Sequence, residues 1–367
     1  KGTFWSPGGN LLAFYRMDES MATDYPIIDW TVRPAKNKNI KYPMAGDVSH
    51  EVTVGIFNVT TRKTIFLKTG EPKEQYLTNL AWSPDEKQVY IAVLNRDQNE
   101  MKLNAYSAAT GNFEKTIFVE KNEKYVHPRH PIEFLAGNPN QFIWQSERDG
   151  FNHLYLYSAE GTLIKQLTKG NWVVTDFAGF GANGTIAFFS STGESPITRN
   201  FYSVDLNSGN LTKITTGEGT HSVTLSGNKN YFLDDFQSMT VPREIAVYSI
   251  EGKKIKTLKQ SENPLSQYSL GELIIFTIKN DHGDDLYCRL YKPADFSVKK
   301  KYPAIIYLYC GPNVQLINNT WNGGGDLWFQ YMAERGFVVF TVDGRGSSNR
   351  GLAFEQATFQ QLGSVEM

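Results

Sequence analysis

Cysteine is scarce: the 367 residues hold two, Cys288 and Cys310. The pair lacks metal-ligand spacing, and a chain of this length can build its core without a disulfide framework. Both cysteines read as small buried apolar residues, and they leave the redox compartment open. No apolar run reaches the roughly 20 residues that a membrane-spanning helix needs, so no transmembrane segment is read, and no signal peptide either. Excess charge of one sign is also absent. The chain carries 37 Lys and Arg against 38 Asp and Glu, a net charge of −1, with the signs interspersed. Nothing in that balance suggests a nucleic-acid surface or a basic membrane face, and no nucleic-acid partner is read. Histidine is sparse, with six residues. They form no credible base or metal pair, so no metal and no cofactor are read. His127 and His130 read as exposed loop residues.

Aromatic residues are plentiful at 13%, and Gly and Pro are scattered, which suits a β-rich chain of short strands and turns. Five hairpins share one pattern. They are Val54–Val59 with Arg62–Leu67, Leu103–Tyr106 with Phe113–Ile117, His153–Tyr157 with Thr162–Thr168, Phe201–Asp205 with Leu211–Thr215, and Ile245–Ser249 with Lys254–Leu258. They recur at roughly 45–50 residues, the period of four-stranded propeller blades, and their turns carry the Gly or Asn that tight hairpins require. A second hairpin falls between copies, as at Leu80–Asp85 before Val89–Val93, Phe4–Pro7 before Leu11–Tyr15, Phe180–Gly184 before Ile186–Phe189, and Leu225–Asn228 before Tyr231–Leu233. Two hairpins per period make a blade. A β-sandwich array is the alternative, and it does not account for so regular a period. About five and a half blades are legible, and a ring closes to protect its edges, so further blades are expected before Lys1. The stretch Asp18–Ser49 exceeds a blade turn. It reads as an extra strand pair or as a loop over one mouth of the ring.

The repeat stops after Leu258. A hairpin of Leu273–Ile278 and Leu286–Pro293 surrounds Asn280–Asp284, and Lys299–Lys301 is a solvated charge run. The stretch Tyr302–Pro312 follows, a continuous apolar run closed by Gly311-Pro312. It reads as a strand buried on both faces in a parallel sheet. Asp326–Arg335 has helical spacing, with Gly336 placed to cap it. Gly336–Val342 is a second apolar run, closed by Asp343-Gly344-Arg345-Gly346-Ser347. Strand, helix and strand make a βαβ unit. Ligands bind beyond the carboxyl ends of such strands, which places Tyr309 and Arg345 where chemistry is expected. The Asp343–Ser347 turn reads as structural.

A propeller followed by this unit resembles the prolyl oligopeptidase family of serine peptidases, in its bacterial dipeptidyl peptidase IV branch. The residues that carry the resemblance are Trp5-Ser6-Pro7 with Leu12-Ala13-Phe14, Tyr42–Gly46, Leu94–Asn99, Ser146–Phe151 with His153-Leu154-Tyr155, Leu167–Gly170 with Trp172, Tyr309–Pro312 and Asp343–Ser347. They span the chain in the family's order. The resemblance implies an all-β propeller of four-stranded blades, partial, over residues 1–262, followed by the start of an α/β-hydrolase domain over 263–367. It implies peptide substrates, cut to release N-terminal dipeptides with penultimate Pro or Ala. It also implies a homodimer and a periplasmic, cell-surface or secreted location. Tyr309 matches the tyrosine that donates its phenol hydrogen to the oxyanion of the tetrahedral intermediate, a role that a donor fixed at the end of a strand can serve. Substrate-binding residues are not carried over.

The route needs a Gly-x-Ser-x-Gly elbow, then an acid and a histidine. No such elbow occurs here, Ser347 and Ser348 do not fit one, and the last histidine is His282. The family's acidic pair for the substrate's amino terminus belongs upstream of Trp5. The chain is therefore expected to be an inactive fragment of a serine dipeptidyl peptidase. The alternative is a non-catalytic propeller that binds or scaffolds.

Overall fold

Alternating apolar and polar residues fold into five successive four-stranded antiparallel sheets in a computed structural model that describes residues 2–366. The first holds Thr3–Trp5, Leu11–Asp18, Glu51–Asn58 and Thr64–Phe66, and the second Gln75–Trp82, Gln88–Asn95, Glu100–Ser107 and Phe113–Lys121. The third holds Glu133–Leu135, Asn138–Ser146, His153–Ser158 and Leu163–Gln166. The fourth runs from Val174–Phe180 to Leu211–Lys213, and the fifth from Thr220–Leu225 to Lys254–Gln260. All five hairpins expected from the sequence are present. The half-blade read at the start is the inner hairpin of the first complete sheet. The hairpin Glu133–Leu135 with Asn138–Ser146 completes the third sheet and had escaped the repeat pattern. The fold is an all-β propeller followed by the start of an α/β-hydrolase domain.

Burial follows strand position. Middle strands are covered on both faces, so Gln88–Asn95 is buried along nearly its whole length. Outer strands face solvent, and Lys254–Gln260 is exposed throughout. Lys254, Lys256 and Lys259 on that outer strand guard it against pairing with another chain. Apolar side chains of neighbouring sheets interlock. Ala13, Val54 and Ile56 of the first meet Leu77, Val89 and Ile91 of the second, and Phe188 and Phe201 of the fourth meet Phe232 of the fifth. The recurrent serine has a structural reason. Ser6, Ser83 and Ser226 accept backbone N–H groups of Leu11, Gln88 and Tyr231 at 3.2, 2.9 and 3.1 Å, closing each inner hairpin. Trp82 ties the first two sheets together, its Nε1 donating to Phe4 O at 3.1 Å, whereas Trp5 of the matching motif is 59% exposed.

Of the two readings of the stretch after Asp18, the strand pair is the one found. Asp24–Asp29 and Lys36–Lys41 form an antiparallel hairpin of their own, with Trp30 left 85% exposed.

The last sheet has the order Leu273–Lys279, Asp285–Tyr291, Val338–Asp343, Ala304–Tyr307. Its first pairings are antiparallel, and Ala304–Tyr307 runs parallel to Val338–Asp343. The helix Leu327–Glu334 joins the parallel strands and is capped by Asp326, whose carboxylate accepts from Trp328 N at 2.7 Å. The βαβ unit is therefore as expected, but one strand differs. Val338–Asp343 is central and well covered. Ala304–Tyr307 has four residues, lies at the sheet edge and leaves Ile306 63% exposed. Its apolar run reads as doubly buried, yet among the described residues no strand lies beyond it. Cys288 and Cys310 are buried, as expected.

The chain packs as two compact units. One runs to Gln145 and takes Leu156–Ile164; the other takes Ser146–Tyr155 and the residues from Lys165 on. Among the described residues no helix is long and apolar enough to cross a membrane.

Sheet spacing depends on hairpin glycines. Gly161 has φ +97°, and a Cβ there would lie 2.1 Å from Ile117 O; Gly111, at φ +71°, would meet Phe66 O at 2.3 Å. Gly9 has a similar φ of +73° and open space around it. Gly161→Ala is therefore expected to cost about 3 kcal/mol, a left-handed penalty plus an overpacking penalty, against about 1 kcal/mol for Gly9→Ala. Urea unfolding of the two variants checks this, and equal losses would remove the clash from the account.

Candidate active site

Tyr309 lies just past the carboxyl end of the edge strand Ala304–Tyr307 and is 60% exposed. The backbone behind it is tightly held. Cys310 is buried and adopts φ +50°. Its thiol accepts from Gly344 N at 3.3 Å and donates to Val342 O at 3.5 Å. Burial pushes the thiol's pKa up, so Cys310 is a fastener and not a nucleophile. One cysteine thus pins the turn after Tyr309 to the turn that ends the neighbouring strand.

The Asp343–Ser347 turn is built from buried groups. Asp343 accepts from Leu316 N and Ile317 N at 3.0 and 2.9 Å. Burial raises its pKa, and those two N–H groups pull it back. Arg289, also buried, donates from Nη1 to Leu316 O at 3.0 Å and Gly323 O at 2.6 Å. Its guanidinium lies over the Tyr291 and Phe329 rings. Arg345, expected near the chemistry, faces Asp284 of the preceding hairpin turn at 3.6 Å. Ser347 and Ser348 are buried, which removes both as exposed nucleophiles.

The expected exposure of His127 and His130 is not found. Both are half-buried. Their segment is tied down by Val126 N to Gln98 O at 2.8 Å, and by Asn79 Nδ2 to Pro128 O and His130 O, each at 2.8 Å. His127 Nδ1 lies 3.2 Å from Arg129 Nη2. Among the described residues no cluster of His, Cys, Asp or Glu could hold a metal ion.

Sequence reasoning missed the side chains that carry the connector after Tyr309. Gln315 bonds Arg199, and Asn319 N donates to Ile197 O at 2.7 Å. These partners are far apart along the chain, and no periodic pattern signals them.

Several of the family-like residues meet at His153. Its Nδ1 lies 3.0 Å from Thr168 Oγ1 and its Nε2 2.9 Å from Gly170 O, and Trp172 meets the ring edge-on at 4.8 Å. Burial lowers the pKa of His153, against weaker raising effects from Gly170 O and Asp149. The folded chain thus favours the neutral imidazole, and the unfolded chain binds the proton more readily. The stability this gives is complete above the unfolded pKa of about 6.5 and is lost as pH falls below it. Urea unfolding across that range should show the loss, and His153→Gln, less stable at neutral pH, should show a shallower dependence. An unchanged pH slope in the variant would assign the dependence to other groups.

Residues 1–243 match the profile of the dipeptidyl peptidase IV (DPP IV) N-terminal region, and residues 326–367 that of the prolyl oligopeptidase family. Among solved structures, a candidate dipeptidyl aminopeptidase IV from Bacteroides ovatus aligns with a TM-score of 0.93 at 42% identity, over 99% of this chain and 54% of its own. Porphyromonas gingivalis dipeptidyl peptidase 4 aligns with a TM-score of 0.89 at 31% identity, over 99% of this chain and 52% of its own. Dipeptidyl peptidase 8 of Homo sapiens is 25% identical over 100% of this chain and 50% of its own length. Dipeptidyl peptidase 4 of Arthroderma otae is 25% identical over 99% and 49%. The chain spans about half the length of the curated relatives it matches.

Proposed function

Because this chain belongs to the dipeptidyl peptidase IV family of prolyl oligopeptidase-type serine peptidases, we propose that it is part of an exopeptidase that releases N-terminal dipeptides with penultimate Pro or Ala. The observation that carries the reading is Tyr309: an exposed phenol beyond a strand end, on a backbone fixed by the Cys310 thiol. In this reading the phenol donates to the oxyanion as negative charge develops on the scissile carbonyl oxygen. A donor already in place needs little reorganisation at that moment, which is why such groups count heavily in acyl transfer. The serine, acid and histidine are assigned to sequence outside this chain, and the 367 residues alone are expected to be inactive.

The test is hydrolysis of Gly-Pro-p-nitroanilide by the protein that carries the elbow. Tyr309→Phe there should lower kcat by about 10²–10³-fold, with KM within about twofold. Unimpaired turnover in the variant would remove Tyr309 from the chemistry. No hydrolysis by the elbow-bearing protein would leave a peptide-binding propeller instead.

The same proposal includes a homodimer and an export to the periplasm or cell surface. The hairpin Asp24–Asp29 with Lys36–Lys41 supports the dimer. It exposes Ile28, Trp30 and Tyr42, and a lone two-stranded ribbon with apolar side chains in water is poorly stable. Light scattering should find a dimer that Trp30→Glu converts to a monomer. A monomeric parent protein at micromolar concentration would sink the dimer.

A further inference from the structure

The connector that leaves the Tyr309 turn is fastened by side chains from distant parts of the chain. Gln315 uses both ends of its amide. Its Oε1 accepts from Arg199 Nη2 at 2.7 Å and from Asn349 Nδ2 at 2.9 Å, and its Nε2 donates to Pro196 O at 3.0 Å. Arg199 is itself held, with Nη1 donating to Pro196 O and Thr198 O, each at 2.8 Å. Burial pulls its pKa down to about 10, which leaves it protonated at neutral pH. On the other side of the turn, Ser348 N donates to Val314 O at 3.1 Å. Asn319 completes the attachment. Its N–H donates to Ile197 O at 2.7 Å, its carbonyl accepts from Thr220 Oγ1 at 3.1 Å, and its Oδ1 accepts from Met239 N at 3.1 Å.

These contacts converge on a short piece of chain with no regular secondary structure of its own. Asn313 and Asn349 both occupy the left-handed region, at φ +62° and +67°, so the backbone at either end of the Gln315 contact is bent tightly. A flexible connector would let the Tyr309 turn drift, because the strand Ala304–Tyr307 before it has only four residues. The fourth and fifth sheets supply the missing restraint through Arg199, Ile197, Thr220 and Met239.

We propose that Gln315 is a positioning residue for Tyr309: through Arg199 and Asn349 it registers the Tyr309 turn against the fourth blade, so the propeller sets where the phenol points. The proposal rests on the reading of Tyr309 as the oxyanion donor, but its test uses no substrate. The N–H groups of Gly344 and Ser348 report on the turn, since they bond Cys310 Sγ and Val314 O. Their exchange rates are measured by NMR in the 367-residue chain, with the ladder amides of Val338–Asp343 as reference. Gln315→Met should speed exchange at Gly344 and Ser348 by about tenfold while the ladder stays within about twofold. Gln315→Glu keeps an acceptor for Arg199 and Asn349 but loses the donor to Pro196 O, so both rates should fall between those of the Met variant and the parent. Acceleration spread evenly over the ladder would mean a merely structural role and would overturn the proposal. So would no acceleration, or a Glu variant no better than Met. Should Gln315→Met fail to fold, Arg199→Lys, which keeps the charge and loses the fork, decides the matter by the same rates: faster exchange at the two reporters supports the proposal, and parental rates overturn it. Loss of the peptidase reading in the hydrolysis assay would leave these rates standing, so the two failures are distinguishable.

Discussion

The α/β segment depends on how the backbone of one residue, Leu316, is shared between two buried charged side chains. Leu316 gives its N–H to Asp343 and its carbonyl to Arg289. A carboxylate or guanidinium taken out of water costs several kcal/mol unless its hydrogen-bonding capacity is met. Neither group here could be buried without the connector, and the connector has no sheet or helix of its own to hold it. The requirement is mutual: the backbone meets both Asp343 oxygens and Arg289 Nη1, although Arg289 Nε stays buried without a partner among the described residues, and the backbone is fixed by the same bonds. Arg289 adds contacts with the Tyr291 and Phe329 rings, so the strand Asp285–Tyr291 and the helix Leu327–Glu334 share the same anchor. Removing one partner would strand the other, which is the costly direction for a buried pair.

The blades solve a simpler problem by repetition. The first and second sheets, and the fourth and fifth, bury apolar side chains against each other, so stability accumulates largely through nearest-neighbour interfaces, as in other repeat folds. Ser83 acts within its own sheet, closing its hairpin through its hydroxyl, and Trp82 links the first two sheets, reaching its neighbour through its indole N–H. What varies between blades is the loops, and the loops at Ile197–Arg199 and Ser238–Thr240 do work that the strands cannot.

How much of this was legible in the sequence follows from the range of each interaction. Period-two alternation, hairpin glycines and the helix-ending Gly336, at φ +87°, are local and legible in the sequence, whereas the cap at Asp326 emerges only from the structure. The hairpin Glu133–Ser146 escaped because its first strand has three residues and its second begins with a proline inside it. The run Tyr302–Pro312 was read as doubly buried because an apolar run states only that a strand can be covered. Which strand lies at the edge is a property of sheet order. His127 and His130 looked like free loop residues because their restraints come from Asn79 and Gln98. The Arg199–Gln315 contact spans 116 residues, beyond any pattern of period or turn. The turn at Tyr309 was legible as a turn, but the thiol that fixes it was read only as a small apolar residue.

That thiol explains a contrast within one dipeptide. Tyr309 is exposed and Cys310 is buried, and Cys310 is a non-glycine residue in the left-handed region. Such a conformation costs about 1–2 kcal/mol and persists only where the surroundings over-determine it. Here they do. The thiol is hydrogen-bonded in both directions, and a Cβ on Gly346 would come within 2.9 Å of Cys310 O, so the two turns are nested. Reversing the chain direction at Cys310 sends the buried side chain inward and leaves the phenol before it in solvent. A relaxed extended residue at this position would carry the strand onward and would not hold the phenol at the turn. The strain at Cys310 is therefore tied to the exposure of Tyr309, and any account of one must include the other.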